Sequence, residues 1–244
     1  MTNRAGAVLG HLLGKEPLVR WDWVADHRHQ IWFRFVQHVE LTVAAVGIGL
    51  VISLPLAIFA HRHRAAYAPI TWVTGLMYTI PSLALFVILL PITGLSTTTA
   101  EIGLVSYTLL ILIRNSVVGL RGVPEDVKEA ARGMGYTDRA LLWRVEIPLA
   151  LPAIMAGIRI ATVSTIGLVT VAALIGRGGL GQFILQGLST FFKTEIFLGA
   201  ALSVALALTA DALLLGVQTV LTPWGRKGRS RAWTAQRKAG FPIG

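Results

Sequence analysis

The sequence contains no cysteine, and this absence excludes several classes of protein. A chain without thiols has no disulfide scaffold, no thiolate zinc site, no cysteine nucleophile and no thiolate-ligated iron–sulfur cluster. Charge is also scarce, because charged residues make up 14% of the 244 residues, whereas soluble domains carry about 25%. Hydrophobic residues make up 54%. This composition argues against an ordinary soluble enzyme.

Five long apolar runs are present, and each is close to the roughly 20 residues that a helix needs to cross the hydrocarbon core. They are residues 41–60, 70–90, 102–120, 153–175 and 196–221. Pro81 interrupts the second run, and Arg159 and Asp211 lie inside the fourth and fifth. The glycine-rich stretch after Ile175 is typical of a loop rather than of a sixth span. The sequence therefore predicts an all-α, polytopic membrane protein.

The net charge of +10 comes from basic residues between the apolar runs, which indicates a membrane protein with basic loops rather than a nucleic-acid-binding protein. One side of the predicted spans holds 14 Lys and Arg residues: Arg62, Arg64, six in residues 114–152 and six in residues 226–238. The loops after the second and fourth spans hold only Arg177 and Lys193. The positive-inside rule therefore places the long loop and the tail in the cytoplasm. Five spans then put the N-terminus outside, although its own five basic residues partly oppose that side.

The sequence divides into three parts. Residues 1–38 mix aromatic residues with histidine and arginine, as a helix at the membrane interface does, and show no cleavage site of a signal peptide. Residues 39–221 are expected to form the membrane domain, with a cytoplasmic loop at residues 121–152, and residues 222–244 a basic cytoplasmic tail. No second soluble domain is predicted, so any soluble receptor or motor comes from another chain.

The long cytoplasmic loop is predicted to fold into two short helices. Pro124 is a good helix start because proline suits a first turn, and the acids that follow it complement the helix dipole. This helix is expected to end at Gly135, where glycine tolerates a left-handed conformation. A second segment follows over residues 137–145. Pro148 and Pro152 are expected to turn the chain back toward the bilayer.

The same loop resembles a known signature. The residues that carry it are Glu129, Ala130, Ala131, Gly135, Val145, Ile147 and Pro148. In this order and spacing they resemble the EAA signature of permease subunits of bacterial ABC importers. The resemblance implies the type I importer permease fold in the bacterial inner membrane and a loop that docks into the ATPase. The alternative is an amphipathic surface loop.

Other stretches resemble the branch that imports the osmoprotectants glycine betaine, carnitine and choline. They are residues 78–85, 113–115, 129–135, 147–161 and 172–181. The resemblance implies a second permease subunit, two ABC ATPase subunits that bind ATP–Mg, and an extracytoplasmic substrate-binding protein, with no cofactor on this chain and no nucleic acid. Importers of methionine and other amino acids share the architecture, so another small solute is the alternative cargo. Homodimer and heterodimer assembly both remain open.

Polar groups inside the spans are candidates for the translocation path. Tyr78, Thr79, Pro81 and Ser82 surround a break in the second span, where a proline frees a backbone carbonyl; the alternative is a packing kink. Arg159 and Asp211 form either a structural ion pair or a substrate contact, and snorkelling of Arg159 is a third interpretation. An ion-coupled secondary transporter is the rival function, but it predicts more midplane charges.

Neither a metal site nor an enzyme is predicted. The six histidines are His11, His27, His29, His38, His61 and His63. All are expected to be interfacial, and arginines alternate with the last two, which repels a cation. The sequence contains no nucleophile elbow, P-loop or paired carboxylate site, so ATP hydrolysis is expected on a partner.

Overall fold

The computed structural model describes residues 17–224. The helices in that range, in chain order, are α1 Trp21–Asp26, α2 Arg28–Arg62, α3 Arg64–Thr79, α4 Ser82–Thr93, α5 Thr97–Arg121, α6 Glu125–Gly133, α7 Asp138–Leu141, α8 Ile147–Val171, α9 Gly181–Thr190 and α10 Lys193–Leu221. A π-helical turn, Leu142–Glu146, joins α7 to α8, and a 3-10 turn, Ala172–Ile175, extends α8. The all-α prediction is confirmed.

Four segments are long and apolar enough to cross a membrane: α2, α5, the continuous run from α7 to the 3-10 turn, and α10. The pair of α3 and α4 passes the same test together but is bent by 94° at its break. Five predicted spans are therefore matched when the bent pair is taken as one broken span. The glycine-rich stretch is a loop as predicted, but a ten-residue helix that the sequence did not predict, α9, follows it.

Helix α5 lies at the centre of the bundle and packs against both α2 and α8. At one end, Leu41, Phe86, Leu104 and Val169 from four different helices form a buried cluster. At the other end, next to the cytoplasmic loop, a second cluster joins α5 and α8 to the π turn. By contrast, α10 leaves most of its surface exposed in the single chain, so that surface is free for lipid or for another subunit.

Pro81 breaks the second span completely instead of kinking it. Ile80 has ψ 126, because a following proline disfavours the helical region, and Pro81 becomes the residue before α4. The hydroxyl of Tyr107 on α5 donates a hydrogen bond to the Ile80 carbonyl. Helix α5 therefore satisfies a backbone group that the break leaves open.

The first long helix begins earlier than the sequence predicts. We expected a span from Leu41, but α2 begins at Arg28 and continues without interruption to Arg62. Residues 28–38 are thus the first three turns of α2. The first 16 residues of the predicted interfacial segment, and tail residues 225–244, lie outside the described range.

The prediction that Pro148 and Pro152 turn the chain is wrong. Pro148 is the second residue of α8 and Pro152 lies inside that helix, which continues without a break from the π turn of the loop. Pro148 follows the π turn, where the hydrogen-bond pattern already changes, so its missing N–H disrupts little. Pro152 lies in the second turn of α8 and leaves the Pro148 carbonyl without its usual helical donor, and the helix continues through this position.

Candidate functional site

Helix α6 presents two different faces. Lys128 and Ala131 are buried against the bundle, whereas Glu129 and Ala130 on the opposite face are exposed. Alanine at an exposed helical position allows another helix or surface to approach the backbone closely. The described chain therefore leaves the face with Glu129 and Ala130 available for a partner.

Gly135 ends this part of the loop as predicted. Its φ is +84, in the left-handed region that favours glycine. The Gly135 N–H donates to the Arg132 carbonyl at 2.9 Å, and the Tyr136 N–H donates to the Ala131 carbonyl at 3.1 Å. This pair of bonds is a Schellman motif, which satisfies carbonyls at the end of a helix. The motif fixes the angle at which the chain leaves α6.

Charges hold the first turn of α6 in place. The Glu125 carboxylate accepts from Lys128 Nζ at 3.1 Å and from Arg132 Nη1 at 3.3 Å. These two cations, Lys128 first, lower the pKa of Glu125 below its usual value. Glu125 is thus an ionised partner of its own helix, while Glu129 makes no ion pair within the described residues.

The second half of the loop contacts the C-terminal end of α2. His61 Nε2 lies 3.5 Å from Glu146 Oε1, and Arg62 Nη2 donates to the Asp138 carbonyl at 3.4 Å. The signature residues Val145, Ile147 and Pro148 are half-buried at the start of α8. Met134 and Trp143 are large, apolar and exposed on this polar loop. Our site prediction omitted both, although an apolar side chain in a polar loop is a recognisable signal.

The predicted path residues cluster around the break between α3 and α4. Tyr78 is 42% exposed, and its ring lies edge-on to Tyr107 with centroids 5.6 Å apart. Thr79 and Pro81 are exposed and Ser82 is half-buried. The Thr79 hydroxyl donates to the carbonyl of Leu76 in its own helix at 2.7 Å. Tyr107 of α5 also lies at this break, next to Tyr78 and the Ile80 carbonyl. Our site prediction omitted it because it is distant from these residues in sequence.

The structure brings Arg159 and Asp211 together. Arg159 Nε and Nη2 donate to the two oxygens of Asp211, each at 2.8 Å, in a bidentate pair between α8 and α10. Gln218 Oε1 lies 3.5 Å from Arg159 Nη1. Gln218 also donates to the Pro152 carbonyl, so these polar contacts extend about two turns toward the N-terminal end of α8.

His38 is buried in the core, so its predicted interfacial position is wrong. Its side chain has no exposed surface. The Leu180 N–H donates to Nδ1 at 3.3 Å, and Nε2 lies 3.0 Å from the Ile166 carbonyl. Because Nδ1 accepts, Nε2 carries the proton and donates. His38 thereby connects α2, α8 and the glycine-rich loop.

The other described histidines lie near the ends of α2. His27 stacks on Trp23 at 4.1 Å between ring centroids, and His63 contacts Phe59 at 4.7 Å. Over residues 17–224 no group of three or more His, Cys, Asp or Glu side chains is arranged to hold a metal ion.

Comparison with known families matches most of the chain. Residues 45–227 match the family described as binding-protein-dependent transport system inner membrane component. This range contains all the spans after the start of α2 and the whole cytoplasmic loop.

Several characterised permeases are similar over about four-fifths of the chain. The osmoprotectant import permease protein OsmW of Salmonella typhimurium is 39% identical over 78% of this chain and 90% of its own length. The carnitine transport permease protein OpuCB of Listeria monocytogenes is 36% identical over 81% of this chain and 91% of its own. The choline transport system permease protein OpuBB of Bacillus subtilis is 34% identical over 80% and 90%.

Solved structures show a similar fold. A chain of the MetNI methionine ABC transporter in an inward-facing conformation superposes with a TM-score of 0.70 at 20% sequence identity, covering 79% of this chain and 98% of that chain. Another crystal form of MetNI gives a TM-score of 0.68 at 22% identity, covering 76% and 93%. The predicted importer permease fold is confirmed.

Proposed function

The chain belongs to the family of binding-protein-dependent transport system inner membrane components, and from this premise we propose that it carries a small quaternary-ammonium osmoprotectant across the membrane. It is a multi-pass inner-membrane permease subunit of an ABC importer, a transport component rather than an enzyme. The observation that carries the substrate class is the set of relatives at 34–39% identity, whose names specify osmoprotectant, choline and carnitine transport.

We propose that the chain works as one of two permease subunits, identical or similar, above two ABC ATPase subunits. The ATPases bind ATP–Mg and supply the energy, and an extracytoplasmic binding protein delivers the substrate. The open surface of α10 supports a second subunit, because an apolar helix that is almost unburied in one chain needs lipid or protein around it.

The cytoplasmic loop is the proposed coupling element. The surface of α6 with Glu129 and Ala130 would dock in the ATPase, with Ala131 packing inward and Gly135 setting the exit angle. Helix continuity from Asp138 to Ile175 then supplies a mechanical connection, since no flexible link separates the loop from α8. Closure of the ATPases would move the loop and α8 as one lever, and the two permeases would open alternately inward and outward.

We propose that Tyr78, Thr79, Pro81 and Ser82 border the translocation path. Their position at a break between two helices supports this role, because irregular backbone in a membrane protein is tolerated where it is buried or lines a cavity. Selectivity would rest mainly on the binding protein, since aromatic faces recognise quaternary ammonium groups without hydrogen bonds.

Uptake by intact cells tests the proposed substrate class. Deleting the gene for this chain should lower ATP-dependent uptake of radiolabelled glycine betaine, choline or carnitine at high osmolarity, and the wild-type gene should restore it. Uptake of radiolabelled methionine is measured in the same cells. Loss of methionine uptake alone would show that the substrate class is wrong, while the permease family stands.

A variant of Tyr78 tests the path. Tyr78→Ala should slow transport while the affinity of the isolated binding protein for the substrate stays unchanged. Trp72→Ala is the matched control, since it removes an exposed aromatic from the same helix but away from the break. Equal effects of both variants would remove the case for Tyr78 in the path.

A further inference from the structure

One ion pair lies at a depth where membrane proteins rarely place charge. Arg159 has twelve residues of α8 on either side, so it lies about 18 Å from each end of that helix at 1.5 Å per residue. Asp211 is ten residues from the end of α10. The two side chains remain 24% and 38% exposed. This face is unsuited to lipid, because charged groups within a membrane face the protein interior or a water-filled cavity.

The exposed sides of the pair open into a groove of about 440 Å³. The remaining lining is small or apolar, apart from one hydroxyl: Ala156, Ile160, Val163 and Ser164. The groove therefore carries one positive and one negative group side by side and little other polarity. Such a groove is complementary to a small zwitterion, which carries one positive and one negative group.

Arg159 has donors left over after it pairs with Asp211. A guanidinium has five N–H groups, and Asp211 takes one from Nε and one from Nη2. Gln218 lies nearest to one N–H of Nη1. One N–H on each terminal nitrogen has no partner within the described residues, so Arg159 can still donate charge-assisted hydrogen bonds to a carboxylate. Asp211 keeps its negative charge for a quaternary ammonium group, which has no N–H to donate.

We propose that Arg159 and Asp211 form a transient binding site for a zwitterion in the translocation path, which we call the passing site. The remaining guanidinium N–H groups donate to the substrate carboxylate, and Asp211 lies beside the ammonium group. This inference rests on the proposed function, which supplies the quaternary-ammonium class. In glycine betaine one methylene separates the two charged groups, so one molecule spans both side chains. Choline has an alcohol in place of the carboxylate and uses Asp211 alone.

Arg159→Lys distinguishes this site from a purely structural pair, because lysine keeps the charge but has no planar edge for a carboxylate. The complex of this chain with its ATPase and binding protein is reconstituted in proteoliposomes, and ATP-dependent uptake of radiolabelled glycine betaine and choline is measured in parallel. We expect betaine uptake to fall about tenfold, as for the loss of one charge-assisted hydrogen bond, and choline uptake to change by less than about twofold. Arg28→Lys, at the exposed start of α2, is the matched control and should change neither.

Assembly is followed with Arg159→Gln, Asp211→Asn and the double variant. Each single change strands a charge within the membrane, whereas the double change does not, so the double variant should give the higher yield of complex. Equal losses of betaine and choline uptake by Arg159→Lys, or a lower yield of its complex, would show that the pair serves subunit packing and would overturn the passing site. If the wild-type complex transports neither compound, the proposed function and the passing site both fail.

Discussion

At the scale of single residues, His38 shows how one side chain can hold three parts of the molecule together. Its Nδ1 accepts from the Leu180 backbone and its Nε2 donates to the Ile166 carbonyl. Gly179, with φ +49, packs its backbone against His38, and a Cβ there would lie 2.6 Å from the Cβ of His38. Only a glycine at position 179 therefore lets the loop approach the backbone of α2 at His38 this closely.

Removing the imidazole should destabilise the fold. His38→Ala leaves the Leu180 N–H buried without its partner, which costs about 1–3 kcal/mol, and opens a cavity as well. His38→Asn should lose less, because its amide oxygen can replace the Nδ1 acceptor. Thermal unfolding of the detergent-solubilised protein measures both, with the exposed His29→Ala as control. Equal melting temperatures for all three variants would contradict this role.

Local sequence could not reveal that His38 is buried. Its neighbours are aromatic and charged, and that mixture is typical of a membrane interface. The groups that bury it are 128 and 142 residues away in sequence. Such partners are visible only once α2, α8 and the glycine-rich loop have packed. Gly135, by contrast, was predicted correctly because a Schellman motif depends on residues within one turn.

At the scale of elements, the cytoplasmic loop behaves as a surface rather than as part of the core. Glu129 and Ala130 are exposed, and Gly135 has open space around its Cβ position. Substitutions here should therefore affect what docks on the loop and leave the membrane bundle intact.

Gly135→Asp and Glu129→Lys should each leave the protein in the membrane and abolish coupling. At Gly135 any side chain meets the strain of a left-handed conformation, about 1–2 kcal/mol, and the exit angle of the loop changes. Glu129→Lys reverses the charge of the docking face. Substrate-stimulated ATPase activity and ATP-dependent uptake of the reconstituted complex are the measurements.

Gly133→Ala is the matched control for these variants. It lies in the last turn of the same helix with open space and ordinary dihedral angles, so alanine should be tolerated or even stabilise the helix. Normal uptake by Gly135→Asp and Glu129→Lys, with normal amounts of protein in the membrane, would remove the case for a coupling loop.

The observed helix boundaries show which sequence signals were sufficient to predict where a helix begins and ends. The starts of α5 and α10 followed from apolar runs, and the ends of the spans were predicted within a few residues. The prediction of a turn at Pro148 and Pro152 was wrong because a proline ends a helix only where the surrounding structure does not accommodate its missing N–H. Here a π turn precedes Pro148, so the helical hydrogen-bond pattern already changes before the two prolines. That π turn is not visible in a local sequence window.

At the scale of the whole molecule, the described ends of the chain lie on opposite sides of the bundle. The Arg20 N–H donates to Thr194 Oγ1 at 3.0 Å, and Trp23 packs edge-on against Phe192. Residues 20–23 therefore lie at the start of α10, next to the loop after the fourth span. The cytoplasmic loop contacts the other end of α2. This arrangement agrees with an outside position of residues 20–23, the side that the basic residues before the first span partly oppose.

The absence of cysteine makes this orientation directly testable, because single cysteines can be introduced without background thiols. Three positions are similarly exposed: Trp21 at 74%, Leu95 at 70% and Met134 at 71%. In right-side-out membrane vesicles, a membrane-impermeant maleimide should label Trp21→Cys and Leu95→Cys, whereas Met134→Cys should react only after permeabilisation. Since exposure is matched, a difference in labelling reports the side of the membrane rather than burial. If Trp21→Cys were labelled only after permeabilisation, residues 17–27 would lie in the cytoplasm, which contradicts the five-span topology. If Met134→Cys were labelled without permeabilisation, the coupling loop would lie on the side that an ATPase cannot reach.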